Sequence, residues 1–211
     1  MPRPKSLVAV CGTTTEVGKT WVGAAVLAQW AKAGLSVAAR KPVQSFDPAD
    51  AHPTDAHVLG SASGEPADRV CPPHRWYGRA LAPPMAAEAL GRSSFSLADL
   101  LGELHWPPAC EVGLVETVGG VRSPMAADGD CASFVQRIAP DATLLVADAE
   151  LGTINAVRLS MATLNPERVV VFLNRFDSRS DLHQRNLAWL SGRDGLTVLT
   201  DAEAAATALV R

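Results

Sequence analysis

Residues 12–20 read Gly-Thr-Thr-Thr-Glu-Val-Gly-Lys-Thr and follow directly on the apolar run Leu7-Val8-Ala9-Val10-Cys11. A buried strand, a glycine-bearing loop and Gly-Lys-Thr opening a helix together form a cradle for a chain of phosphates. Backbone N–H groups at the helix N-terminus concentrate partial positive charge there. The Lys19 ammonium can reach terminal phosphates, and the Thr20 hydroxyl can ligate Mg²⁺. The spacing is one longer than G-x-x-x-x-G-K-[ST]: Gly12 lies six positions before Gly18, and Thr13 stands where the first glycine usually does.

In open α/β sheets ligands gather beyond the carboxyl ends of the strands, so the polar residues that follow each apolar run are the next candidates. Lys41-Pro42-Val43-Gln44-Ser45 follows the run at 36–40, bringing a second cation and a hydroxyl. Glu116 closes Val112–Val115 and leads into Thr117-Val118-Gly119-Gly120, where glycine permits close backbone approach. Asp148 and then Leu151-Gly152-Thr153-Ile154-Asn155 follow the run at 143–147, and Asn174 follows the run at 168–173. Mg²⁺ carried with ATP takes oxygen ligands, a need that Thr20, Asp55 and Glu116 fit. Lys41 can neutralise charge on a transferring phosphoryl group. The helix start at 152–155 suits a carboxylate, and the Asn174 amide can pair with adenine.

Plainer roles compete at several of these positions. Asp55 is equally a helix N-cap or first-turn acid, with Thr54 as the rival cap. Asn155 and Asn174 are equally turn or cap residues, and Asp148 reads as a strand-end cap. Glu116, ending an apolar strand, needs a partner to be tolerated. The five histidines show no ligand spacing, although His52 and His57 flank Asp55.

The elements that must position these groups are legible as alternating strands and helices, an α/β chain with a mostly parallel sheet. Strands are expected at 7–11, 36–40, 112–116, 143–147, 168–173 and 196–199. One helix is expected over 19–33 with Val22, Val26 and Trp30 inward and Gly34 as its stop, and another over 153–164. The stretch 43–84, rich in Pro, Gly, Asp and His, reads as long loops around one short helix near 54–59. An Ala-rich terminal helix is expected at 202–208. The 211 residues, 47% hydrophobic with net charge −3, fit one domain over 1–211. No basic tract points to nucleic acid, and no run is long enough to span a bilayer. The four scattered cysteines (11, 71, 110 and 131) read as thiols in a reducing cytoplasm.

Taken together, these motifs resemble the dethiobiotin synthetase family of P-loop NTPases. The shared elements are Gly12–Thr20 with its lengthened spacing, Lys41-Pro42-Val43-Gln44-Ser45, Thr54-Asp55-Ala56, Val115-Glu116 with Gly119-Gly120, Leu151–Asn155 and Asn174. The resemblance implies an ATP-dependent ligase that converts 7,8-diaminopelargonate and CO₂ to dethiobiotin through a phosphorylated carbamate. It implies catalytic roles for Lys41, Lys19 and Thr15. ATP would be bound by Glu16, Val17, Gly18, Lys19, Thr20, Trp21, Asp55, Glu116, Gly119 and Asn174. Mg²⁺ would sit on Thr20, Asp55 and Glu116, and substrate on Ser45 and Gly152, Thr153, Ile154 and Asn155. It further implies a cytoplasmic homodimer in which residues 152–155 serve the partner's site. Thr117-Val118 stands where the family has Gly-Ala, Ala82-Pro83-Pro84-Met85 replaces its Ser/Ala-Pro-His segment, and Val198-Leu199-Thr200 replaces its Ile-Pro element. Two other readings remain: a relative with altered or lost substrate, and a partitioning-type ATPase switch. The switch proteins carry a second lysine early in the loop, and none lies between Gly12 and Gly18.

Overall fold

The strands of this chain are built from runs whose two faces are both apolar. In β1 (Ser6–Gly12), Val8 and Val10 pack to one side of the sheet while Ala9 and Cys11 pack to the other. Both sides of a parallel sheet are covered by helices, so continuous apolar runs are what the architecture requires. The computed structural model describes residues 3–164 and 166–210. Its main sheet contains β1, β2 (Val37–Arg40), β5 (Val112–Glu116), β8 (Ala142–Asp148), β9 (Val169–Asn174) and β10 (Val198–Leu199) in the order β10-β9-β8-β1-β5-β2, all parallel. Two small ribbons flank it: β3 (Gln44–Ser45) with β4 (Trp76–Tyr77), and β6 (Pro124–Ala126) with β7 (Gly129–Asp130). The helices are α1 (Lys19–Lys32), α2 (Asp55–Ser63), α3 (Ala67–Val70), α4 (Pro83–Ala89), α5 (Leu97–Gly102), α6 (Cys131–Ile138), α7 (Thr153–Leu164), α8 (Asp181–Ala188) and α9 (Ala202–Leu209). This is the P-loop NTPase fold.

The six main strands fall where the apolar runs place them, β5 at both ends and the others with ends shifted by at most two residues. The reading of 43–84 needs correction. Instead of loops around one short helix, the stretch holds α2, α3, a 3₁₀ turn at Pro73–Arg75, the β3–β4 ribbon and the start of α4. Tertiary contacts hold these short pieces. The Trp76 indole donates to the Cys71 carbonyl, and Arg92 donates to the Trp76 carbonyl while its guanidinium lies over Tyr77.

Helix α1, which carries the Gly-Lys-Thr segment, is seated from several sides. Val22, Val26, Leu27 and Trp30 are buried against the sheet, and the Trp30 indole donates to the Ala206 carbonyl of α9 at 3.0 Å. At its far end Gly34 N–H donates to the Ala31 carbonyl and Leu35 N–H to the Trp30 carbonyl, the paired bonds of a Schellman stop. Gly34 has φ +83, and nothing lies within 4 Å of where its Cβ would sit, so backbone conformation alone selects glycine. The four cysteines are free and buried. Among the described residues no helix is long and apolar enough to cross a membrane. Gly34→Ala is expected to lower unfolding free energy by about 1 kcal/mol, the cost of a left-handed non-glycine residue. Chemical denaturation checks this, and the slope with denaturant should stay unchanged.

Candidate active site at the carboxyl edge of the sheet

Beyond the carboxyl ends of β1, β2 and β5 lies a cavity of about 980 Å³ lined by residues from the loop after β1 and the start of α1, the segment 41–55, residues 80–83, the loop after β5, and Arg175 after β9. Strand register brings its charged groups together. Glu116 pairs with Val10 across β1 and β5, which places its carboxylate two residues before the phosphate loop begins at Gly12. Lys41 follows β2, the strand on the other side of β5.

The centre of the cavity is an ionic cluster of two buried residues, Lys41 and Glu116, with Asp55 partly open to the cavity. Lys41 Nζ lies 2.5 Å from Glu116 Oε1 and 2.8 Å from Asp55 Oδ2, and also donates to the Thr117 carbonyl at 3.1 Å. Lys41 is 2% exposed and Glu116 0% exposed, so their charges face each other across a medium of low dielectric. Burial alone would lower the Lys41 pKa, but Asp55 and Glu116 outweigh it and hold the ammonium above its ordinary range. Burial raises the Glu116 pKa, against the pull of Lys41. Burial would raise Asp55 too, but Lys41 and the Thr20 hydroxyl hold it below the ordinary value.

Thr20 Oγ1 stands 2.9 Å from both Asp55 Oδ1 and Glu116 Oε1. A hydroxyl has one hydrogen and can donate to only one of them at a time. Glu116 Oε2 is buried with no hydrogen-bond partner. A hydroxyl oxygen, two carboxylates and an orphaned carboxylate oxygen in one place form a donor set suited to a hard divalent cation. Among the described residues no group of three or more His, Cys, Asp and Glu side chains gathers to hold a metal alone. A cation here would complete its shell with phosphate and water oxygens.

Lys19 approaches from the other wall. Its ammonium donates to the Gly119 carbonyl at 2.8 Å and the Thr14 carbonyl at 3.3 Å, and burial followed by the nearby Lys41 lowers its pKa. Gly119 (φ +50) has no room for a side chain, since a Cβ would meet Ser123 Oγ at 2.2 Å. Asp55 is the first residue of α2, and Gln44 sets its position. The buried Gln44 amide accepts from Ala56 N–H at 3.1 Å and donates to Thr54 Oγ1 at 3.4 Å, fixing the start of the helix.

The cavity lining contains Thr15, Glu16, Gly18, Lys19, Thr20, Lys41, Ser45, Asp55, Glu116 and Gly119. Other candidate residues lie elsewhere. Val17 packs its side chain into the core, and Trp21 is 63% exposed outside the lining. Asn174 is buried, and its amide donates to the Val17 carbonyl at 2.9 Å, bracing the loop from β9. Gly152, Thr153, Ile154 and Asn155 are not in this cavity, and Thr153 Oγ1 is engaged with the Asp148 carbonyl. Ser45 Oγ donates to the Leu81 carbonyl at 2.6 Å. His52 also lines the cavity, and His57 does not. Thr117 turns inward, donating to the Val10 carbonyl, so only Val118 of that pair adds bulk at the cavity. Met85 is exposed outside the cavity, while Pro83 lines it. The reading of the sequence passed over Gln44, Ser123 and Arg175. Only the place of Gln44 in the Lys41–Ser45 motif, three residues after Lys41, hinted at a role.

Fold and site define a P-loop nucleotide-binding protein, and residues 7–199 match the family described as AAA domain. The chain is 34% identical over 200 residues to the ATP-dependent dethiobiotin synthetase of Anaeromyxobacter dehalogenans (strain 2CP-C), covering 90% of this chain and 87% of that protein. It is 32% identical to the enzyme of that name from Haloferax mediterranei, covering 91% and 82%. The chain belongs to the ATP-dependent dethiobiotin synthetase family. Among solved structures, it resembles the signal recognition particle receptor FtsY of Elizabethkingia anophelis (TM-score 0.57, 14% identity, 100% of this chain and 67% of that one). It also resembles a plasmid partition protein of Borrelia burgdorferi (TM-score 0.56, 11% identity, 99% and 97%). These two likenesses concern the fold alone.

Removing Lys41 would leave a fully buried carboxylate without its cation. Lys41→Met is expected to cost about 3 kcal/mol at neutral pH, and adding Glu116→Gln should restore most of it. The Lys41 pKa is raised on folding, so its contribution is complete below pH 10.5 and is lost as pH rises through the folded value. From neutral pH upward the stability gap between wild type and Lys41→Met should therefore hold up to about that pH and then narrow, as read by urea denaturation over the alkaline range.

Proposed function

We propose that residues 1–211 work as one ATP-dependent ligase that carboxylates 7,8-diaminopelargonate and closes the ureido ring to give dethiobiotin. The observation that carries this is the convergence of Lys19 and Lys41 with Thr20, Asp55 and Glu116 around one cavity. Its membership of the synthetase family supports the same reaction. An amine of the substrate takes up CO₂ as a carbamate, whose oxygen attacks the γ-phosphorus of ATP and releases ADP. The neighbouring amine then attacks the mixed anhydride, and phosphate leaves as the ring closes.

The protein's part is positioning and charge neutralisation. Lys41, kept protonated by two carboxylates, serves as a fixed cation for the carbamate and the transferring phosphoryl group. It is too strongly held to act as a base. Lys19 exchanges its carbonyl partners for phosphate oxygens, and Thr15 faces the same space. Ser45 orients the diamine. Thr20, Asp55 and Glu116 would hold Mg²⁺, which supplies charge neutralisation on the phosphates. The protein acts as a cytoplasmic homodimer, with residues 152–155 receiving the substrate carboxylate in the partner's site. Leu151, 86% exposed, and Leu159, 62% exposed, flank that segment and suit a covered face.

Purified protein supplied with diaminopelargonate, bicarbonate and Mg-ATP should form dethiobiotin and ADP in equal amounts. Lys19→Ala and Lys41→Ala should each lower turnover by at least about 100-fold, in the range found when a preorganised charge-stabilising donor is removed. ATP hydrolysis indifferent to the diamine would favour the switch reading instead. Leu159→Asp should shift the sedimentation coefficient from dimer to monomer. A wild-type monomer at assay concentration would remove the shared-site arrangement.

A further inference from the structure

Two consecutive residues at the end of β9 reach across to the phosphate loop. Asn174 donates to the Val17 carbonyl at 2.9 Å, and the Arg175 guanidinium donates to the Glu16 carbonyl at 3.1 Å. Both partners of the second bond are in the left-handed region, Glu16 at φ +60 and Arg175 at φ +56. Neither is glycine. Such backbone is disfavoured for a residue with a side chain and persists where surrounding contacts hold it.

Arg175 also lines the cavity, where it is unlike the other two lysine and arginine side chains. Lys41 is neutralised by two carboxylates, and Lys19 is buried against two carbonyls. Arg175 is exposed, forms no ion pair among the described residues, and uses one of its five N–H donors on Glu16. Its place on the sheet decides what it can meet. In the order β10-β9-β8-β1-β5-β2, Lys41 and Glu116 lie on the β5–β2 side of the phosphate loop and Arg175 on the β9 side. A triphosphate whose γ end meets Lys41 runs its α end toward β9.

We propose that Arg175 is a nucleotide-positioning residue, which holds the phosphate loop through Glu16 and presents its remaining donors to the α-phosphate end of the bound nucleotide. This rests on the reading of the loop as an ATP site. Equilibrium binding of ATP, ADP and AMP to wild type, Arg175→Gln and Arg175→Lys tests it. Both variants keep a donor for the Glu16 carbonyl and a non-glycine residue at the same φ, so they separate charge from loop bracing. Arg175→Gln is expected to weaken all three nucleotides about 10-fold, because the α-phosphate is common to them, and Arg175→Lys to stay within about threefold of wild type. In turnover the Gln variant should raise the KM for ATP with kcat within twofold and the KM for the diamine unchanged. Equal ATP binding by wild type and Arg175→Gln, or equal losses in Gln and Lys, would overturn this inference alone. A loss confined to ATP would overturn the α-phosphate placement. A wild type that binds no nucleotide would overturn the site reading and this proposal with it.

Discussion

The structure turns on a carboxylate that has no business inside a protein without a cation. Glu116 ends the most enclosed strand of the sheet, fully buried, with one oxygen shared by Lys41 and Thr20 and the other with no partner. Burying an ion costs several kcal/mol after relaxation, and Coulombic attraction offsets this only when geometry is good. The surrounding elements supply that geometry. Strand β5 delivers the acid, the turn after β2 the ammonium, α2 a second acid, and α1 the hydroxyl. Shifting any of them would leave charge stranded in the core, so the architecture of the edge is tied to the cluster it encloses.

The same cluster explains a division of labour between the two lysines. Lys41 is locked by carboxylates and keeps its proton, whereas Lys19 holds only main-chain carbonyls. A lysine bound to neutral carbonyls is free to trade them for phosphate oxygens. One cation is therefore fixed by ion pairs inside the protein, and the other is held by neutral groups alone.

Much of this was legible in the residues because local rules and tertiary structure agree there. The strand before Gly12 is apolar on both faces and the sheet is covered on both faces. Gly34 stops α1 because a left-handed turn needs glycine. Lys41 and Glu116 stood out by following apolar runs. The stretch 43–84 was illegible for the opposite reason: its two-residue strands and four-residue helix have no periodicity, and long-range contacts such as Arg92 to Trp76 hold them. Arg175 was missed because its meaning lies in a bond to Glu16, 159 positions away. Asn174 was read as a base-pairing amide with a turn role as rival, and the fold gives its nitrogen to the loop carbonyl.

The bond from Trp30 to Ala206 joins segments 176 positions apart. Helix α9 covers the back of α1 with Ala205, Ala206 and Leu209, all buried in the same cluster as Val26 and Trp30. During synthesis on a ribosome the phosphate-binding helix thus emerges long before the piece that roofs it. Until residues 202–209 have left the exit tunnel, the nascent chain has an open groove behind its nucleotide loop. A chain that has not yet delivered α9 leaves Val26 and Trp30 of α1 without that cover.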